Sequence, residues 1–171
     1  CALVVIGGAD TEINCPNGSF NPGSQPMHTC TDVDNGKRGE YSNGAYAQTG
    51  AVKQTNCAAG TWNADGDGDC VDAALGKCSS LTGSSCIGDG QTGATSEVNP
   101  SAGKCVSLDA TNCAGNNLGA DDEVNCPAGT FNPGSQPMGT CTNAAIGKCS
   151  SLNGSSCIGD GQTGATSEVN P

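Results

Sequence analysis

Residues 73–100, AALGKCSSLTGSSCIGDGQTGATSEVNP, return at 144–171 with two changes, Leu75 to Ile146 and Thr82 to Asn153. A second match joins CPNGSFNPGSQPMHTC at 15–30 to CPAGTFNPGSQPMGTC at 126–141. Recurrence on this scale predicts an array whose units bury their faces against one another, not a globule around one core. The units read as a partial repeat at 1–30, a divergent cysteine-free insertion at 31–56, a complete repeat at 57–125 and a truncated repeat at 126–171.

Only 22 of the 171 residues are Leu, Ile, Val or Phe, well under the ~20 per cent that marks chains unable to build an apolar core. Ordering each residue costs roughly 1.5 kcal/mol, which so little hydrocarbon cannot offset. The 13 cysteines supply the missing stabilisation, because each disulfide contributes about 2–4 kcal/mol by restricting the unfolded chain. Disulfides persist in oxidising compartments, so an extracellular or cell-surface address is expected.

The unequal repeats constrain the pairing. The first copy keeps Cys15 and Cys30 but lacks counterparts of Cys78, Cys86 and Cys105. Cysteines present or absent together favour Cys15–Cys30, Cys57–Cys70, Cys78–Cys86, Cys105–Cys113, Cys126–Cys141 and Cys149–Cys157. Cys1 then stands unpaired or intermolecular, and its partner would precede the first residue. A register shifted by one, beginning Cys1–Cys15 and leaving Cys157 open, is the alternative.

The turn pairs Asn-Gly, Asp-Gly and Asn-Pro, with 27 glycines and 8 prolines, interrupt any helical period. The fold class expected is therefore small disulfide-rich tandem repeats, elongated, mostly loops and turns with short β-hairpins and no large hydrophobic core. Strands are expected near 3–6, 104–108 and 123–125. Phe20, Trp62 and Phe131 each follow a cysteine by five residues, which reads as one aromatic plug per repeat, packed on disulfide sulfur. A carbohydrate-stacking platform is the alternative use of these rings.

Chemical sites are sparse. The single histidine, His28, is matched by Gly139 in the sister copy, so it reads as a surface residue and no catalytic residue is assigned. The nearest cysteines lie too far apart for the usual zinc spacing. Asp65, Asp67 and Asp69 resemble the opening of a calcium loop, but Cys70 and Gly76 stand where its glycine and closing glutamate belong. They are a weak calcium candidate, and no cofactor is expected. Asn17 and Asn153 each begin an Asn-Gly-Ser glycosylation sequon. Seventeen acidic residues against six basic ones give a net charge of −11, which disfavours nucleic acid and anionic lipid as partners. No stretch has the length of a membrane span.

Units opening Cys126-Pro-Ala-Gly-Thr130 and Cys57-Ala-Ala-Gly-Thr61, in a chain dominated by Ala, Gly, Ser, Thr and Asn, resemble the immobilisation-type surface antigens of ciliates. The Cys-x-x-Cys pairs common in that family are absent. The resemblance implies a cysteine-rich, tandemly repeated coat protein held at the cell surface by a lipid anchor. The expected function is a non-enzymatic extracellular structural protein, glycosylated at exposed loops. A self-assembling fibre subunit and a secreted carbohydrate-binding module are the alternatives.

Overall fold

A computed structural model describes residues 14–24 and 29–171. The strand expected at 3–6, Cys1 and His28 lie outside the described residues. Within them the chain forms 14 strands and no helix. They are β1 (Ser19–Phe20), β2 (Thr31–Asp32), β3 (Lys37–Glu40), β4 (Lys53–Asn56), β5 (Thr61–Trp62), β6 (Val71–Asp72) and β7 (Cys78–Ser80). The series continues with β8 (Ser96–Val98), β9 (Lys104–Ser107), β10 (Asp122–Asn125), β11 (Thr130–Phe131), β12 (Thr142–Asn143), β13 (Cys149–Ser151) and β14 (Ser167–Val169). Each strand pairs antiparallel with its sequence neighbour, giving two-stranded sheets throughout.

The hairpins are of two kinds, and a glycine turn opens both. In β1–β2, β5–β6 and β11–β12 the motif Cys-x-x-Gly-Ser/Thr-aromatic closes on itself. The Thr130 N–H and hydroxyl both donate to Pro127 O, as Thr61 does to Ala58 O and Ser19 to Pro16 O. The intervening Gly129 has φ +79, a left-handed conformation that glycine adopts without Cβ strain. In β3–β4, β7–β8, β9–β10 and β13–β14 the turn ends in Gly-Lys. Its lysine pairs across the hairpin with a glutamate in three of the four: Lys77–Glu97 at 2.7 Å, Lys104–Glu123 at 2.8 Å and Lys148–Glu168 at 2.8 Å. The same carboxylates accept the N–H groups of Ala74, Ser101 and Ala145, so each glutamate ties its strand to the turn.

Isolated two-stranded hairpins are marginal in water, so the stacking between them carries the fold. Asn63 is 5 % exposed and Asn132 fully buried, and both follow an aromatic. The Asn63 backbone O accepts from Gly36 N–H at 2.8 Å and its Nδ2 donates to Lys37 O at 3.0 Å. Asn132 does the same with Gly103 and Lys104. One buried amide per contact thus satisfies two hairpins at once.

Six disulfides close, Cys15–Cys30, Cys57–Cys70, Cys78–Cys86, Cys105–Cys113, Cys126–Cys141 and Cys149–Cys157. The register starting at Cys1–Cys15 is not the one adopted. Buried apolar residues form two small clusters. Cys78, Val106, Ala114 and Ala120 make one, and Cys105, Cys126, Met138 and Cys141 the other.

Segment 31–56 does not interrupt the array: it contains β2 and the hairpin β3–β4, whose Lys37↔Asn56 register matches Lys104↔Asn125 of β9–β10. The aromatic rings of Phe20, Trp62 and Phe131 are partly covered. Beside them Ala51, Ala94 and Ala165 are at most 2 % exposed. Their small side chains let the backbones approach as parallel bridges to Phe20, Trp62 and Phe131.

Candidate functional site

Most of the candidate groups among the described residues are engaged by the scaffold. Asp69 Oδ1 accepts from Arg38 Nη1 at 2.8 Å, and Asp65 Oδ1 accepts from Asp67 N–H at 3.0 Å. The Asp65 and Asp69 carboxylates therefore face separate partners, and with Asp67 and Trp62 they line a groove of about 220 Å³. Among the described residues, three metal-ligating atoms converge within 4.8 Å only at Cys105, Cys113 and Cys141. Those sulfurs belong to two packed disulfides, and a metal would need free thiolates. Asn17 and Asn153 are both exposed. Asn17 Oδ1 accepts from the Tyr46 hydroxyl at 3.1 Å, while Asn153 Oδ1 caps the hairpin tip by accepting from Ser155 N–H at 2.9 Å.

Buried hydroxyls close loops. Ser80 Oγ donates to Ser85 O and Ser107 Oγ to Asn112 O. In the cysteine-free hairpin the equivalent position holds Glu40, 4 % exposed. It contacts Arg38 at 3.1 Å, Lys53 at 3.3 Å and the Thr55 hydroxyl at 2.9 Å. Burial pushes its carboxyl up, but the hydrogen bonds from Thr55, Arg38 and Lys53 outweigh that and hold it below the ordinary value. Glu97 and Glu123 follow the same pattern with Lys77 and Lys104. Asp121 goes the other way, raised by burial and by the charges of Asp89 and Asp122 despite accepting from Gly90 N–H.

The most distinctive surface emerges from comparing the two near-identical copies. In 73–100, five backbone groups bind the segment that follows. Ala73 O accepts from Gly119 N–H and Gly76 O from Met138 N–H, at 2.9 and 2.7 Å. Ser79 N–H donates to Ala120 O, and Gly88 N–H to Asp121 O, at 2.8 and 2.9 Å. Gly90 N–H donates to Asp121 Oδ2 at 2.8 Å. In 144–171 the counterparts are Ala144 O, Gly147 O and the N–H groups of Ser150, Gly159 and Gly161. None of them has a hydrogen-bond partner among the described residues.

Four of these residues, Ala144, Ser150, Gly159 and Gly161, border a concavity of about 320 Å³ that Gly129 also lines. A Cβ on Gly76 would stand 2.6 Å from Met138 N, whereas one on Gly147 would meet nothing within 4 Å. At the rim Ile146 is fully exposed, at 106 %, against 51 % for its counterpart Leu75. In 73–100 the same donors and acceptors are taken up by the segment that follows. Sequence reading missed this difference, since identical residues carry the satisfied and the open version of the same face. No protein-family model matches this chain, and no curated protein or solved structure matches it.

Proposed function

We propose that this chain is a non-enzymatic extracellular structural protein, a cysteine-rich coat in which stapled hairpins present glycosylated loops outward. The observation that carries this reading is that five buried polar side chains serve to tie the scaffold together. Asn63, Asn132, Ser80, Ser107 and Glu40 all hold one strand or turn to another. Six disulfides in a chain of this size fit an oxidising setting, and the exposed sequon residues Asn17 and Asn153 fit an outward surface. No helix among the described residues is long and apolar enough to cross a membrane, so attachment in this reading is peripheral or comes from another segment. Immunogold electron microscopy of native cells, paired with cystine and glycan mapping, tests it. A continuous external layer carrying the six cystines supports the coat, and an intracellular protein with free thiols overturns it.

A second reading, a subunit of an extracellular fibre, is favoured by the way Asn63 and Asn132 each join one hairpin to the one before it, a contact that repeats along the array. Long uniform filaments in place of a layer would select it.

A further inference from the structure

Cys105–Cys113 staples hairpin β9–β10, and Cys126–Cys141 staples the hairpin that follows, β11–β12. The two bonds lie side by side, with the Sγ atoms of Cys105, Cys113 and Cys141 all within 4.8 Å of one another. No other three sulfurs converge in this way among the described residues. The backbones that carry them are held together, since Val106 N–H donates to Met138 O at 3.0 Å and Gly115 N–H to Gly139 O at 2.8 Å. Cys105 and Cys126 are fully buried and Cys141 is 6 % exposed, while Cys113 is half-buried. Cys113 and Cys141 line a groove of about 340 Å³ whose other walls include Thr111, Asn112, Val124 and Asn143, and no charged side chain. In a chain of net charge −11, a thiolate entering there meets no carboxylate in the wall. Other half-buried sulfurs have one at hand: Cys86 Sγ lies 3.8 Å from Glu123 Oε2, and Cys70 follows Asp69, whose carboxylate accepts the Cys70 N–H.

We infer that Cys113 is an acceptor site for a small monothiol, and that the adjacent staple takes up the exchange so that the two hairpins become joined through Cys105 and Cys141. A thiolate in the groove attacks Cys113 Sγ. The Cys105–Cys113 bond breaks, a mixed disulfide forms at Cys113, and the electron pair leaves on Cys105 as its thiolate. That thiolate stands within 4.8 Å of Cys141 Sγ and attacks it in turn. Cys105–Cys141 forms, and Cys126 is released as the free thiolate. Two disulfide bonds and one thiolate enter the sequence and the same number leave it, so the monothiol is the only co-reactant. One staple inside each hairpin is thereby exchanged for one between them, across a contact otherwise held by backbone hydrogen bonds. The inference goes beyond the structural reading and is the same for a coat or a fibre.

Brief exposure of the intact, unreduced chain to mercaptoethanol at about pH 8, where an ordinary thiol is partly ionised, tests this. Free thiols are then alkylated, and the products are mapped by mass spectrometry without reduction. Cleavage at Asp109, Asp121 and Phe131 separates the four cysteines. In chains that carry mercaptoethanol on Cys113 alone, the alkyl label should sit on Cys126, and a Cys105–Cys141 link should replace Cys126–Cys141. Where mercaptoethanol adds at Cys86 or Cys70, the label should sit on the native partner, Cys78 or Cys57, since no third sulfur converges on those staples among the described residues. Label on Cys105 with Cys126–Cys141 intact overturns the relay. A Cys113 that stays unmodified while Cys70 and Cys86 react overturns the acceptor site. Shuffled links at every staple would mean general unfolding and would overturn both. Each of these results leaves the external-layer test of the coat reading untouched.

Discussion

Arg38 and Tyr46 occupy, in hairpin β3–β4, the positions that Cys105 and Cys113 occupy in β9–β10. Arg38 pairs with Thr55 as Cys105 pairs with Val124, and Tyr46 bridges Glu40 as Cys113 bridges Ser107. One hairpin of four is thus closed by ions where the others are closed by sulfur. The double substitution Arg38→Cys with Tyr46→Cys recreates the eight-residue separation of the Cys105–Cys113 bridge. A seventh cystine should form on oxidative refolding, contributing about 2 kcal/mol relative to the reduced double variant. Peptide mapping without reduction reads the bond, and thermal unfolding with and without a mild reductant reads its effect. Failure to bridge would contradict the equivalence.

Glu40→Ala removes the acceptor that Arg38, Lys53 and Thr55 share. Both cations keep access to water, with side chains 31 % and 47 % exposed, so part of the lost Coulomb energy is recovered by solvation. The expected cost is about 1–2 kcal/mol, read as a shift of the urea midpoint. Glu40→Gln retains some of the hydrogen bonding and should cost less.

Gly76→Asn and Gly147→Asn place the same side chain at sister positions with φ +74 and +80. Only the first meets backbone, at Met138 N. Gly76→Asn should destabilise by about 1–3 kcal/mol more than Gly147→Asn, the range for forced overpacking. Equal effects would mean that the face on 73–100 is as open as the one on 144–171.

Acid should loosen the hairpins before neutral or alkaline pH does. Glu40, Glu97 and Glu123 have folded pKa values below their ordinary 4.5. Their contribution is complete above that value and is lost as pH falls through the lowered ones. Asp109, an acceptor for the Asn112 and Thr111 N–H groups, is held down to about 2, so its contribution persists furthest into acid. Asp121 is raised above 3.8 and acts in the opposite sense, losing stability as pH rises through its folded value. With Glu168 and Asp34 also lowered, four glutamates and two aspartates oppose one raised aspartate, so the net expectation is a fall in the thermal midpoint between about pH 4.5 and 2.

Much of the framework was legible because cysteines leave a visible record of pairing. Cys15 and Cys30 persist in a unit that has lost the others, which points to a bond between them. The hairpin in 31–56 was not legible on that basis, since Arg38 and Tyr46 stand where the sulfur signal belongs. Its other marks were present. Gln48-Thr49-Gly50-Ala51 repeats Gln91-Thr92-Gly93-Ala94 and Gln162-Thr163-Gly164-Ala165, and those alanines form the parallel bridges to Phe20, Trp62 and Phe131. How deeply the rings of Phe20, Trp62 and Phe131 sit was not legible, because the close backbone approach at Ala51, Ala94 and Ala165 depends on which hairpin lies alongside. The open face on 144–171 was invisible for another reason, since a hydrogen-bond deficit belongs to the neighbour a residue has, not to the residue.

The central claim is that sulfur cross-links replace a hydrophobic core in holding this array. Hydrogen exchange with quantitative thiol alkylation, before and after full reduction at neutral pH, tests it most directly. Of the 13 cysteines, twelve are cross-linked in six disulfides. The unreduced protein should therefore take up at most one label per chain and protect the β9–β10 and β13–β14 amides, and reduction should abolish that protection. Several free thiols in the native protein, or protection that survives reduction, would contradict the account.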